Sequence, residues 1–251
     1  MLISEFAKDL ETRLSIGSFS DISLNGLQIS GPDKEIRKSS FAVDASFDTI
    51  DRAVENGSDI LVVHHGLFWG SPIAITGSHY RRVKRAIDGG LSLFACHIPL
   101  DAHPLYGNNA QMALALGMES YDPFCTFRGS YVGYKGRLPF PMTVEEVARL
   151  LGFSRDSGLR ILKFGKDMVE TVGIVSGAAG DDVEEAIAEG LDLFITGELP
   201  HAVYSTVKEN GINMIAGGHY RSEVFGVKAL ERLARKEFGI ETEFIDAETG
   251  L

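Results

Sequence analysis

Two stretches of the chain, 48–65 DTIDRAVENGSDILVVHH and 181–198 DDVEEAIAEGLDLFITGE, decide the fold because they align with each other without a gap. In each, apolar residues at helical spacing lead to a glycine that ends a helix, and a short apolar run typical of a buried strand follows. The likeness indicates an internal duplication. General similarity between strand–helix units is the alternative.

The alternation continues on both sides of these stretches. Strand-like runs at 40–46 and 91–97 flank the first, and similar runs at 171–177 and 212–219 flank the second. Strands that alternate with helices predict mostly parallel sheets joined by crossover helices. We therefore predict an α/β fold made of two similar, interleaved halves.

The two halves are expected to divide the chain near its middle. The first repeat is predicted to span 1–124 and the second 125–251. Residues 131–165 have no counterpart in the first repeat and are expected to add a strand, a helix and a strand to the second. Within this addition, Thr143 and Glu146 have the spacing of a capping box, which predicts the start of the helix.

The composition is that of an ordinary globular protein, and it restricts the class of partner. Of the 251 residues, 44% are hydrophobic and 24% are charged, and the formal net charge is −11. This balance argues against a nucleic-acid-binding surface, which needs clustered lysine and arginine. A small-molecule substrate stays open, since its pocket can be locally positive around metal ions.

The amino-terminal segment and the cysteines indicate a cytoplasmic protein without a membrane span. Residues 1–14 place apolar side chains at helical spacing between charges, which is unlike a signal peptide. No run approaches the ~18 apolar residues of a membrane helix. Cys96 and Cys125 are far apart, so two buried thiols in a reducing compartment are favoured over a disulfide between them.

Candidate metal ligands follow the predicted strands at their carboxyl ends, where open parallel sheets bind ligands. His64 and His65 end one strand, Asp101 and His219 lie just past two others, and Glu223 comes one helical turn after His219. Each has a simpler interpretation by itself: a hydrogen-bonded histidine pair, a turn or capping aspartate, or a helix-start histidine beside a solvated glutamate. Together, three imidazoles and two carboxylates from both repeats favour a metal site.

The ligand types indicate which ions are expected. Mixed nitrogen and oxygen ligands suit zinc, iron, manganese, cobalt or nickel better than calcium or magnesium. Five protein ligands are many for one catalytic ion that keeps an open position, so we expect two divalent metal ions per chain. Pro99 predicts a loop before Asp101, and the pair Gly217 and Gly218 predicts a sharp turn and a close approach before His219.

At this point the chain resembles a known family, the Nif-three-like proteins, which are also named GTP cyclohydrolase I type 2 homologues. The matching motifs are NGLQ at 25–28, HHGLFW at 64–69, HIPLD at 97–101, TGE at 196–198 and GGHYRSE at 217–223. They occur in family order over nearly the whole chain. The resemblance implies two α/β domains, a dinuclear metal site formed by the five ligands named above, and a ring-shaped homohexamer. It also implies that the histidine of the third motif is a neighbour of that site.

Two functions are compatible with these residues. The first is a metal-dependent hydrolase of a small molecule such as a nucleotide, in which Glu198 and His201 act as general acid and base. For both residues, support of the site or ordinary capping is the alternative. The second function is a non-catalytic metal-handling or regulatory scaffold protein. The sequence contains neither a P-loop nor a complete dinucleotide fingerprint, so it does not name the substrate.

Aromatic residues near the histidine pair have two interpretations. Phe68 and Trp69 could form the wall of a pocket for a planar ring, or they could belong to the core or to a subunit contact. His79 and His103 lie in or near predicted loops, and we expect both to be exposed to solvent.

Overall fold

Each predicted strand–helix alternation has a counterpart in the structure, a computed structural model that describes residues 1–251. The α/β prediction is confirmed. The helices are α1 Ile3–Arg13, α2 Phe47–Glu55, α3 Gly77–Asp88, α4 Ile98–Ala102, α5 Asn108–Ala115, α6 Val144–Leu150, α7 Val183–Ala188, α8 Val203–Asn210 and α9 His219–Phe238. The strands are β1 Gly26–Ile29, β2 Lys38–Asp44, β3 Ile60–His65, β4 Ser92–Ala95, β5 Tyr121–Phe127, β6 Ser130–Met142, β7 Arg160–Lys163, β8 Val169–Ile174, β9 Leu193–Thr196, β10 Asn213–Ala216 and β11 Glu241–Phe244. None of the helices is both long and apolar enough to span a membrane.

The contacts between residues divide the chain into two compact units. The first unit consists of Met1–Leu100 and Val227–Ala247, and the second of Asp101–Gly226 and Glu248–Leu251. The chain therefore enters each unit twice, which agrees with the prediction of interleaved halves. The predicted repeat boundary after residue 124 concerns likeness of sequence, and it stays a prediction.

A five-stranded sheet forms the first unit, in the order β1-β4-β3-β2-β11. The strands β4, β3, β2 and β11 are parallel, and β1 is antiparallel to β4 at the edge. Both faces of the central strand β3 are covered, so its apolar residues do not alternate with polar ones. In β3, Ile60, Leu61, Val62 and Val63 are all fully buried.

A six-stranded sheet forms the second unit, in the order β5-β6-β8-β9-β10-β7. Only β8, β9 and β10 are parallel; β5, β6 and β7 pair antiparallel with their neighbours. This sheet is thus mixed, whereas mostly parallel pairing was expected. The antiparallel strands include those of the predicted strand–helix–strand addition. Its helix α6 starts at the predicted capping box, where the hydroxyl of Thr143 accepts from the N–H of Glu146 at 3.2 Å.

Two expectations about local structure were wrong. Ile98–Ala102 is a short helix and not a loop, because Pro99 lies in the first turn, where backbone N–H groups have no partner within the helix. His79 is buried in the first turn of α3, edge-on to the ring of Phe68, because the helix begins two residues before it. His103 is half-buried and stacks on Tyr106.

Candidate metal centre

The histidine pair lies where β3 leaves the first sheet. His65 is paired in register with Asp44, the last residue of β2. Gly66 follows at a position where no side chain fits, because a Cβ there would lie 2.3 Å from the amide nitrogen of Gln28 and 2.6 Å from the Cβ of Ala95. The strand therefore delivers both imidazoles at its carboxyl end and turns away at once.

Both imidazoles are held through Nδ1. Nδ1 of His64 lies 3.0 Å from the backbone carbonyl oxygen of Cys96, and Nδ1 of His65 lies 2.9 Å from Oδ1 of Asp44. A carbonyl oxygen can only accept, so Nδ1 of His64 carries the proton, and the carboxylate favours the same tautomer in His65. In this tautomer the lone pair is on Nε2, which is the nitrogen that would bind a metal ion.

A third imidazole, that of His97, lies beside the pair. Its ring centroid is 5.1 Å from that of His64 and 5.6 Å from that of His65. One ring nitrogen from each of the three lies within 4.8 Å of the others, so the first unit alone contains a group of side chains that could bind a metal ion.

The two aromatic residues after the histidine pair have different environments. Phe68 packs against the core of the first unit, as the interpretation as a core residue predicts. The ring of Trp69 contacts the rings of His65 and His97, with centroids 5.8 Å and 5.0 Å away, and its Nε1 donates to the carbonyl of Gly66. Trp69 is therefore the aromatic neighbour of the imidazoles.

In the second unit, the carboxylate of Asp101 is buried and fixed by hydrogen bonds. Its Oδ1 accepts from the amide of Asn108 and from the hydroxyl of Ser176, each at 2.8 Å. Asn108 in turn accepts from the N–H of Gly226 at 2.7 Å. Carboxylate oxygens of Asp101 and Glu223 lie within 4.8 Å of each other, so the second unit also brings together two of the predicted ligands.

His219 and Glu223 begin α9 after a turn that requires glycine. Gly218 has a φ of +99°, and a Cβ there would lie 2.0 Å from the carbonyl oxygen of Ser157. The predicted close approach is thus to the backbone of the chain itself. One helical turn apart, Nε2 of His219 and Oε1 of Glu223 are 3.2 Å from each other.

Glu198, predicted as an acid or base, lies against the other side of the same imidazole. Its Oε1 is 2.5 Å from Nδ1 of His219. Burial acts to lower the pKa of His219, but the hydrogen bonds and charges of Glu223 and Glu198 outweigh it and raise the pKa to about 9. The second unit therefore surrounds this nitrogen base with negative charge, which favours a cation.

His201, the other predicted acid or base, is exposed in the turn before α8, and its backbone carbonyl accepts from the N–H of Tyr204. Two carboxylates that hold imidazoles were not identified from the sequence, Asp44 and Asp21. The position of Asp44 at the end of a strand adjacent to β3 could have indicated it. Nothing in the sequence around Asp21 indicates its role.

The motifs that hold these side chains match a known family model. The model for Duf34/NIF3 (NGG1p interacting factor 3) matches residues 1–250. The chain belongs to the Duf34/NIF3 family. The resemblance inferred from the sequence motifs is thereby confirmed.

Individual relatives cover the whole fold. A protein of Deinococcus radiodurans named GTP cyclohydrolase 1 type 2 homolog is 44% identical over 98% of this chain and 94% of its own length. A protein of the same name from Pyrococcus abyssi is 41% identical over 98% of both chains. The crystal structure of TTHA1606 from Thermus thermophilus has a TM-score of 0.90 and 40% identity and covers 100% of both chains.

Proposed function

We propose that this chain is a metal-dependent hydrolase of a small molecule such as a nucleotide, and that His64, His65, Asp101, His219 and Glu223 hold two divalent ions. The observation that carries the proposal is the way the three imidazoles are fixed. Each has a carbonyl or carboxylate oxygen at Nδ1, 2.5–3.0 Å away. Histidines that bind metals characteristically have such a partner, since it sets the tautomer and makes Nε2 more basic.

The donor set fits a transition-metal ion. Two ligand atoms about 2.0–2.1 Å from one ion and at a tetrahedral angle are roughly 3.3 Å apart. The Nε2 of His219 and the Oε1 of Glu223 are separated by 3.2 Å, so an ion could replace the proton between them with little rearrangement. Nitrogen and oxygen donors together support zinc, iron, manganese, cobalt or nickel.

The chain's own groups would orient the substrate and move protons. Bound ions would supply Lewis acidity and lower the pKa of a water molecule toward neutrality. We propose Glu198 and His201 as the proton-transfer groups. The 2.5 Å contact of Glu198 with Nδ1 of His219 also supports the alternative role, that of orienting this imidazole.

Metal binding is the first test. Elemental analysis of the dialysed protein should give close to two equivalents of transition metal per chain. His64→Ala and His219→Ala should each lose metal while circular dichroism stays native. His79→Ala is a matched control, because His79 is also buried but packs against Phe68 and is not a proposed ligand. A folded wild-type protein that neither contains nor takes up metal would contradict the proposal.

Turnover is the second test. Metal-loaded protein should hydrolyse a member of a panel of nucleotides and phosphoesters, lose that activity with a chelator and regain it with added metal. Glu198→Gln, assayed at saturating metal because Glu198 also contacts Nδ1 of His219, should lower turnover by roughly 10²–10⁴-fold if Glu198 moves the proton. Full activity of this variant would remove Glu198 from the mechanism. A metal-loaded protein that turns over nothing in the panel would favour the metal-handling or regulatory scaffold.

A further inference from the structure

His97 has an oxygen partner at Nδ1, as the proposed histidine ligands do, although it is not among them. We infer that His97 is a further metal ligand, held in position by Asp21, so that the first unit presents three imidazoles to a metal ion. The inference rests on the proposed metal-binding function. It adds a sixth ligand and assigns a role to a carboxylate that the function does not otherwise use.

The orientation of His97 is determined from both ends of the residue. Its backbone N–H donates to Oδ1 of Asn25 at 2.8 Å, which fixes the main chain. Its Nδ1 lies 3.0 Å and 3.2 Å from the two carboxylate oxygens of Asp21, which fixes the ring. The imidazole therefore cannot rotate about its side-chain bonds without the loss of these contacts.

Asp21 is in turn held as a buried carboxylate. Its side chain is 2% exposed, and its oxygens accept from the amide of Asn25 and from the N–H groups of Ser23 and Ile98. Burial acts to raise the pKa of Asp21, but the hydrogen bonds from His97 and Asn25 outweigh it and hold the pKa well below its usual range. A charged carboxylate at Nδ1 makes the imidazole a stronger ligand through Nε2.

The geometry directs His97 toward the histidine pair. One ring nitrogen each of His64, His65 and His97 lies within 4.8 Å of the others. All three rings have an oxygen atom at Nδ1, so in all three the lone pair belongs to Nε2. Nitrogens about 2.1 Å from one tetrahedral ion are roughly 3.4 Å apart, so the three rings would close together by at most about 1.4 Å when an ion binds. Three neutral imidazoles suit zinc, cobalt, nickel or iron.

A purely structural role for the pair of Asp21 and His97 predicts a different outcome. Asp21 also joins the segment before β1 to the start of α4 through the N–H of Ile98, so its loss would cost stability in either case. A stability measurement alone therefore does not distinguish the two roles. The number of imidazoles on the metal and the affinity for the metal do, because a structural pair would change neither.

The test uses the full chain loaded with Zn²⁺ or Co²⁺. X-ray absorption should count one imidazole fewer in His97→Ala than in the wild type, and chelator competition should show affinity lowered by about 10-fold or more. Asp21→Asn should weaken binding by roughly 10–100-fold, the usual effect of removing a partner of a metal-binding histidine.

A matched control separates metal binding from folding. Asp59 is also a buried carboxylate of the first unit that accepts from two backbone N–H groups, but it precedes β3, at the end of the strand opposite to the histidine pair. Asp59→Asn should cost stability and keep the metal affinity within about 2-fold. Wild-type protein that binds metal while His97→Ala keeps the same affinity and imidazole count would overturn this inference and leave the proposed function standing. Wild-type protein that binds no metal would overturn both.

Discussion

Oxygen atoms at Nδ1 recur on all four imidazoles that we propose as metal ligands, and they come from different parts of the sequence. The arrangement places several polar groups in buried or half-buried positions. Such groups are tolerated there only because they are hydrogen-bonded. In His64, His65 and His97 the arrangement sets the metal-binding tautomer before any ion arrives, whereas His219, with a pKa of about 9, must lose a proton for an ion to bind. The four pairs are His64 with the carbonyl of Cys96, His65 with Asp44, His97 with Asp21, and His219 with Glu198.

Gly66 is the residue on which the placement of the histidine pair depends most directly. Gly66→Ala should destabilise the fold by roughly 1–3 kcal/mol, because the new methyl would overlap the side chain of Gln28 and the Cβ of Ala95. The Cβ of Ala95 is attached directly to the backbone and cannot move away. Urea unfolding followed by circular dichroism would measure this. Gly31→Ala is the control, since nothing lies within 4 Å of a Cβ there, and its midpoint should match the wild type. Equal midpoints for both variants would show that the strand end adjusts freely.

The ends of strands and helices hold the candidate ligands, and the local sequence determines where these ends lie. The carboxyl end of β3 presents two histidines, and the first turn of α9 presents a histidine and a glutamate on one face. Polar caps determine where neighbouring helices begin and therefore how the sheets are covered. The helix α6 of the second unit allows this to be tested.

The capping box of α6 should be worth about 1 kcal/mol. Thr143→Ala removes the hydroxyl that accepts from the N–H of Glu146, so the free energy of unfolding should fall by about that amount. Thr12→Ala is the matched control, because the hydroxyl of Thr12 is exposed and only donates back to the carbonyl of Lys8. Denaturant titration of both variants measures the difference. Equal losses would mean that the box contributes nothing beyond the general effect of losing a threonine.

The start of α7 should make stability depend on pH. Burial, with the charges of Glu185 and Asp181, raises the pKa of Asp182 from 3.8 to about 6. The folded chain therefore binds this proton more tightly than the unfolded chain. The ionised carboxylate of Asp182 thus destabilises the fold fully above about pH 6 and not at all below the ordinary pKa of aspartate. Asp182→Asn should raise the free energy of unfolding at about pH 8 by roughly 1 kcal/mol, less than the full shift implies because the side chain is partly solvated.

Urea unfolding at two pH values checks this sign. The gain of Asp182→Asn should be present at about pH 8 and mostly lost at about pH 4, where the folded wild type already carries the proton. Asp167→Asn serves as the control, because Asp167 is an exposed aspartate of the same unit and is not among the charges that act on Asp182. A larger gain at the lower pH than at the higher pH would contradict the assigned cause.

At the scale of the whole molecule, metal binding should be linked to stability. An ion that binds only the folded chain adds RT ln(1 + [M]/Kd), which is about 2.7 kcal/mol at 100 times Kd. Zn²⁺ should therefore raise the thermal midpoint of wild-type protein, and a chelator should reverse the increase. His64→Ala should show a smaller increase, whereas Asp59→Asn should start lower and show the full one. An increase of the same size in His64→Ala would mean that the ion binds elsewhere.

The assembly is the other prediction at this scale. The resemblance to the family implies a homohexamer, so sedimentation at micromolar concentration should give a particle close to six chains. Each chain has a mass of 27.3 kDa, so a monomer and a hexamer are readily separated. A strictly monomeric protein would remove the hexamer from the description, without any consequence for the ligand assignments.

The sequence by itself determined the α/β class, the alternation of strands and helices within the two repeats, and the family. The spacing of apolar residues and the glycines that end helices are local signals. Both are present in the repeated stretches 48–65 and 181–198. It also identified the histidine pair as the end of a strand. The short helix over Pro99 and the burial of His79 were not predicted. One-turn helices and the first turns of longer helices are too short to show a periodic pattern of apolar residues.

Only the tertiary structure decided which residues orient the imidazoles and how the strands pair. Asp21 reaches His97 across 76 residues, and β7 joins β10 antiparallel at an edge, although neither is marked by a local pattern. The interleaving of the two units likewise depends on the return of residues 227–247 to the first sheet. A hydrogen bond between distant residues is set by the path of the whole chain, and no window of sequence contains that path.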